Sequence, residues 1–211
     1  MQTNIIKNSN KIYNEAVKKY GNNSSAVLWN DQQTQYLRFN EILNFINLDD
    51  NISILDIGCG NAELYRFLNF NGFRGSYTGF DINDNLLSQA KQNYTNIDVQ
   101  NIDILTTSNI KQYDYVVLSG LFNCNYGQDI NWVFKMIEKM YEISKKKIIF
   151  NAITSYVNYK DDCMIYLDPK EILDYSIKNI SSEISLIHGK LPYNYTVCIS
   201  KQKSWTSISN A

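Results

Sequence analysis

Ser53-Ile54-Leu55-Asp56-Ile57-Gly58-Cys59-Gly60-Asn61 reads as a short apolar strand that meets an acidic residue and runs into a turn with two glycines. The next residues, Ala62-Glu63-Leu64-Tyr65-Arg66-Phe67-Leu68, begin a helix. Strand, glycine turn and helix in succession form the unit with which open α/β sheets hold nucleotides. The glycines let the backbone approach the ligand, and the start of the helix presents unpaired N–H groups to it. A second acid, Asp81, ends the following apolar run, Tyr77-Thr78-Gly79-Phe80. An acid there accepts hydrogen bonds from the hydroxyls of a ribose. A dinucleotide fingerprint needs a third glycine three residues after Gly60. Glu63 stands there instead. Its charge opposes a pyrophosphate but not a cofactor that carries no phosphate and has a cationic centre.

Outward from this unit, apolar strands are expected at 52–57, 77–81, 97–100, 114–119 and 147–151, with helices at 61–70, 84–94 and 129–144 between them. Such alternation builds a mostly parallel sheet covered on both faces. Before it, residues 11–20 read as a short helix closed by Gly21. Residues 31–48 read as a longer one with a single apolar face. After it, Asp168-Pro169-Lys170-Glu171 is a strong helix start, with an acid cap, proline in the first turn and a glutamate three residues on. Two runs, 183–187 and 194–200, then pair antiparallel around His188-Gly189-Lys190-Leu191-Pro192-Tyr193. Residues 1–211 are read as one domain. It has a helical cap at 1–50, a cofactor-binding core at 51–151, an acceptor-side region with the terminal hairpin at 152–200 and a polar tail at 201–211.

Composition narrows the partners. A chain of 211 residues with 44% hydrophobic and 19% charged residues has enough apolar surface for a full core. A net charge of −1 argues against nucleic acid or an anionic membrane as the main partner. The basic run Lys145-Lys146-Lys147 reads as a solvated helix end. Cys59, Cys124, Cys163 and Cys198 are dispersed, and His188 is the single histidine, so no metal site is expected. A magnesium site built from Asp161, Asp162 and Asp168 is the alternative. The cysteines, and an N-terminus without an apolar leader, point to a reduced, cytoplasmic protein.

The run Asp56, Gly58, Gly60 followed by Asp81 resembles the class I S-adenosylmethionine-dependent methyltransferases. There the glycine run is the first motif and the second acid binds the ribose. The resemblance implies a Rossmann-like fold, an α/β sheet of seven mostly parallel strands with a C-terminal antiparallel hairpin, and S-adenosyl-L-methionine as cofactor, leaving S-adenosyl-L-homocysteine. It implies that Asp81 and Ile82 follow the second strand at the ribose. It makes Asp103 the acceptor of the adenine amino group, with Ile102 or Ile104 on the ring face. Ser119-Gly120-Leu121-Phe122-Asn123 falls where the methyl group meets the acceptor. Arg38 is a candidate for the cofactor carboxylate, which a guanidinium can grip with two hydrogen bonds.

The same resemblance bears on the acceptor. Methyltransferases acting on base amino groups of DNA carry an Asp/Asn-Pro-Pro-aromatic run, and Pro169 and Pro192 are the only prolines here. Trp29-Asn30-Asp31, Gln35 through Phe39, and the stretches around 151–169 and 188–195 resemble small bacterial methyltransferases. Many of those lie among genes for capsule and other surface-polysaccharide synthesis. The expected acceptor is a sugar or sugar-nucleotide hydroxyl, with the enzyme a monomer or homodimer. Methylation of a small organic acid at its carboxylate, and a non-catalytic cofactor-binding protein, are the alternatives. A hydroxyl acceptor must lose its proton, and His188 is the first candidate base because histidine titrates near neutrality. Asp162, beside Asp161, is the second. Trp29, Asn123, Tyr156, Tyr193 and Tyr195 are candidate acceptor contacts.

Overall fold

The computed structural model describes residues 2–21, 24–28, 31–48 and 51–201. Trp29 lies outside them. The elements run α1 (Gln2–Tyr20), a 3-10 turn (Ser24–Val27), α2 (Gln32–Leu43), β1 (Ser53–Ile57), α3 (Glu63–Phe70), β2 (Ser76–Asp81), α4 (Asp84–Asn93), β3 (Asp98–Asn101), β4 (Tyr113–Leu118), α5 (Ile130–Glu142), β5 (Ser144–Ile153), α6 (Pro169–Asn179), β6 (Ile184–His188) and β7 (Asn194–Ser200). The seven strands form one sheet in the order β3-β2-β1-β4-β5-β7-β6. The first five are mutually parallel. β7 inserts antiparallel between β5 and the edge strand β6. The Rossmann-like sheet with its terminal hairpin is thus the architecture of the chain.

Two apolar layers hold the sheet. One face packs α5 through Val133, Met136, Ile137 and Met140, with Ile172 of α6 and Ile5 of α1. The other packs α2, α3 and α4 through Phe39, Ile42, Leu64, Leu68, Leu87 and Ala90. Helix starts follow the local code: Asp129 accepts from Trp132 N at 2.9 Å, and Asp168 accepts from Lys170 N at 2.9 Å. Strand order reverses beside β1, so the carboxyl ends of β1 and β4 open a crevice, the switch point at which such sheets bind ligands.

Three stretches depart from expectation. α1 begins at Gln2, nine residues before position 11, because Ile5 and Ser9 are buried against the body of the fold although the segment is rich in asparagine. α2 stops at Leu43, where Asn44, a poor helix former, ends the helix and the chain turns toward β1. Lys145-Lys146-Lys147 belongs to β5 rather than to a helix end. There Lys146 pairs with Asp114 at 3.3 Å and Lys147 donates to Phe45 O at 3.1 Å.

Candidate active site

The turn after β1 is shaped by left-handed backbone. Gly58 has φ +71° and Gly60 φ +55°. A side chain at Gly60 would also press on Val27, its Cβ falling 3.0 Å from Cγ1. Gly58 N and Cys59 N both donate to Phe80 O, at 2.8 and 3.1 Å, tying the turn to the end of β2. The turn packs onto β2 because position 79 is glycine: a Cβ there would lie 2.7 Å from Cys59 Sγ. Ala62, with φ +64°, leads into α3 without a side-chain cap.

Asp81 ends β2 at this turn. Its Oδ2 accepts from Gly60 N at 2.8 Å and its Oδ1 from Asn83 N at 2.9 Å. Burial raises its pKa, and the backbone donors pull the other way. Asp56 is 3% exposed, and burial pushes its carboxyl up to about 7 although Tyr77 Oη donates to it at 2.7 Å. Asp56 is therefore a carboxyl under the turn, stitched to β2 by a tyrosine. Glu63 has a structural task as well: it accepts from Tyr36 Oη at 2.6 Å and Gln32 Nε2 at 2.9 Å, which fastens α2 to α3.

Beyond β3, Asp103 Oδ1 accepts from Leu105 N at 3.0 Å and Oδ2 from Gln2 Nε2 at 2.8 Å. Beyond β4, Ser119 Oγ donates to Asn151 Oδ1 at 3.1 Å. Asn123 is 8% exposed, and its Oδ1 accepts no hydrogen bond. Arg38 is buried, which pushes its guanidinium down to about 10. These groups surround one cavity of about 190 Å³ at the crevice. Every residue read as cofactor-binding lines it: Arg38, Asp56, Gly58, Gly60, Asp81, Ile82, Asp103, Ile104 and Ser119.

A model of the methyltransferase domain family matches residues 48–207. The chain belongs to that family. Among relatives, Rv1506c of Mycobacterium tuberculosis (strain ATCC 25618 / H37Rv), which bears the name of a candidate methyltransferase, is 28% identical over 167 residues, 75% of this chain and 99% of that one. Among solved structures, magnesium protoporphyrin IX methyltransferase from Synechocystis PCC 6803 with bound SAH is similar with a TM-score of 0.71 at 13% identity, covering 96% of this chain and 100% of that chain. The DhpI-SAM-HEP complex is similar with a TM-score of 0.68 at 13% identity, covering 92% and 97%. At such identity the two structures speak for the methyltransferase fold.

The residues expected on the acceptor side are divided. Asn123 lines the cavity. His188, Asp162, Tyr156, Tyr193 and Tyr195 do not. His188 ends the edge strand, exposed, with Nε2 3.0 Å from Thr154 Oγ1. It stacks on Tyr195 with ring centroids 6.4 Å apart and meets Tyr156 edge-on at 6.0 Å. Tyr195 is buried with its hydroxyl unpaired, while Tyr156 and Tyr193 are largely exposed. Asp162 is exposed, and its main-chain O accepts from Asn125 Nδ2 at 3.1 Å.

The sequence reading missed the cavity's cover. Gln2, Ile5, Ser9 and Tyr13 of α1 line it, as do Cys124 and Tyr126. Tyr13 and Tyr126 share a hydroxyl hydrogen bond of 2.8 Å. Burial raises the pKa of both and of the Cys124 thiol, so all three are neutral at pH 7. The spacing of Ile5, Ser9 and Ala16 along one helical face was the available signal.

Proposed function

We propose that this enzyme transfers a methyl group from S-adenosyl-L-methionine to a hydroxyl of a small molecule, a sugar or sugar-nucleotide of surface-glycan synthesis, and releases S-adenosyl-L-homocysteine. The observation that supports the cofactor is the convergence of Asp81, the Gly58–Gly60 turn and Asp103 on one crevice. The residues fit that group. Asp81 has further lone pairs for two ribose hydroxyls beside its backbone donors, and Asp103 is an acceptor for an amino group. Arg38 supplies a cation for a carboxylate, and Glu63, tied to α2, leaves no cradle for a pyrophosphate. When bound, the cofactor supplies a methyl group on a sulfonium, an already activated electrophile. The chain's part is then to hold the acceptor in line and exclude water, so proximity supplies much of the rate. Asn123, whose amide oxygen is buried without a partner in the cavity wall, would receive a hydrogen bond from an acceptor hydroxyl. His188 would take that hydroxyl's proton if the acceptor extends past the carboxyl end of β5 to Thr154.

One observation favours a second reading. Neither His188 nor Asp162 lines the cavity, and a carboxylate acceptor needs no base. Carboxyl methylation of a small organic acid is that reading.

The test is product formation from labelled S-adenosyl-L-methionine with a panel of sugars, sugar-nucleotides and small organic acids. Label in a sugar ether supports the first reading, and label in a base-labile ester supports the second. Calorimetry showing tight NAD binding without S-adenosyl-L-homocysteine binding would sink both.

A further inference from the structure

The polarity of one side chain in the cavity wall is set by its neighbours. Trp132, on α5, is 7% exposed and wedged edge-on against Phe122 at 6.1 Å. Its indole nitrogen can only donate a hydrogen bond. It donates to Gln2 Oε1 at 2.8 Å, so the amide nitrogen of Gln2 must point the other way. There it donates to Asp103 Oδ2 at 2.8 Å. Leu105 N holds the other carboxylate oxygen at 3.0 Å. Asp103 thus faces two fixed donors and keeps lone pairs for a third. Gln2 and Trp132 also line a groove outside the cavity, so the pair is the partition between the two.

We propose that Gln2 is a positioning residue for cofactor specificity. Held by Trp132, it keeps Asp103 oriented as a hydrogen-bond acceptor and thereby selects a purine with an exocyclic amino group over one with a carbonyl at the same position. The proposal rests on the reading of Asp103 as the group that meets the base. A glutamine tethered only to Asp103 would be a rival for the incoming amino group. A glutamine whose oxygen is anchored in the core is part of the wall. Its loss frees the carboxylate to rotate and admits water on that side.

The experiment compares the calorimetric dissociation constants of S-adenosylhomocysteine and S-inosylhomocysteine for the full chain and three variants. The wild type should prefer the adenosyl compound. Gln2→Ala should weaken adenosyl binding about 3- to 10-fold, the net worth of one ordinary hydrogen bond. It should leave inosyl binding near its original value, so that the preference shrinks. Trp132→Phe keeps the ring but loses the donor, and should shrink the preference in the same direction. Gln2 is half-buried at the helix start, so its variant should melt close to the wild type. Tighter adenosyl binding in Gln2→Ala would overturn the proposal by making Gln2 a competitor. Equal weakening of both compounds would overturn it by making Gln2 a mere cover. Asp103→Asn separates the premise from the inference. If that variant keeps the wild-type preference, Asp103 does not meet the base and the underlying reading fails. If it abolishes the preference while Gln2→Ala leaves it intact, the premise stands and the role of Gln2 falls.

Discussion

Asp81 shows what one residue carries here. Its two oxygens already take Gly60 N and Asn83 N, so it shapes the turn while keeping lone pairs toward the cavity. Asp81→Ala should therefore weaken S-adenosylhomocysteine binding by at least about 1–3 kcal/mol, the cost of leaving paired polar groups unmatched. Calorimetry reads this directly, and an unchanged dissociation constant would remove Asp81 from the ribose. His188 carries a separate expectation. As a base for a hydroxyl acceptor it should be worth roughly 10²- to 10⁴-fold in turnover. His188→Ala should show that loss in kcat with cofactor affinity unchanged. Near-normal turnover on the true acceptor would shift the weight to carboxyl methylation, since Thr154 is the sole hydrogen-bond partner seen for the ring among the described residues.

At the scale of elements, the Gly58–Gly60 turn depends on what lies beneath it. β2 can sit under the Gly58–Gly60 turn because Gly79 leaves room for Cys59. Gly79→Ala would drive a methyl group into the Cys59 side chain, at 2.7 Å from Sγ and 2.9 Å from Cβ. Overpacking of this kind costs typically about 1–3 kcal/mol. Urea unfolding of the variant should show that loss, and cofactor affinity should fall with it because the displaced group is the turn itself. α1 is the other element that matters. Asn83 Nδ2 donates to Asn10 and Asn14 of α1 at 3.0 and 2.9 Å, so the helix is fastened to the loop that follows Asp81. The cover and the loop after Asp81 are thereby joined.

For the whole molecule, pH and metal ions give the readable responses. Burial lifts Asp56 to about 7 in the folded chain, against about 4 for an unfolded aspartate. The folded state then binds this proton more tightly than the unfolded state. The resulting stabilisation is full below pH ~4 and is lost as pH rises toward 7. The melting temperature of the wild type relative to Asp56→Asn should fall between about pH 4 and 7 and level off above it. A flat difference across that range would mean that Asp56 ionises freely in the fold. As for metals, the described residues contain no cluster of three or more histidine, cysteine, aspartate or glutamate side chains able to hold an ion. Chelation should leave turnover intact, and loss of activity restored by magnesium would point back to Asp161, Asp162 and Asp168.

Local patterns determined much of this protein from sequence alone. Asp56, Gly58, Gly60 and Asp81 were legible because a strand end, a left-handed turn and a helix start are each specified within a few residues. The strand–helix alternation and the terminal hairpin were legible because burial imprints its period on neighbouring side chains. Tertiary structure decided the rest, through contacts between residues far apart in the chain. Gln2 meets Asp103 across 101 positions and Trp132 across 130. No local pattern encodes such a pairing, and α1 looks too polar to be a cover until the cavity it closes is in place. His188 shows the complementary case: its residue type marks it as a possible base, but only the position of β6 at the sheet edge puts it beside Thr154 and away from the cavity wall.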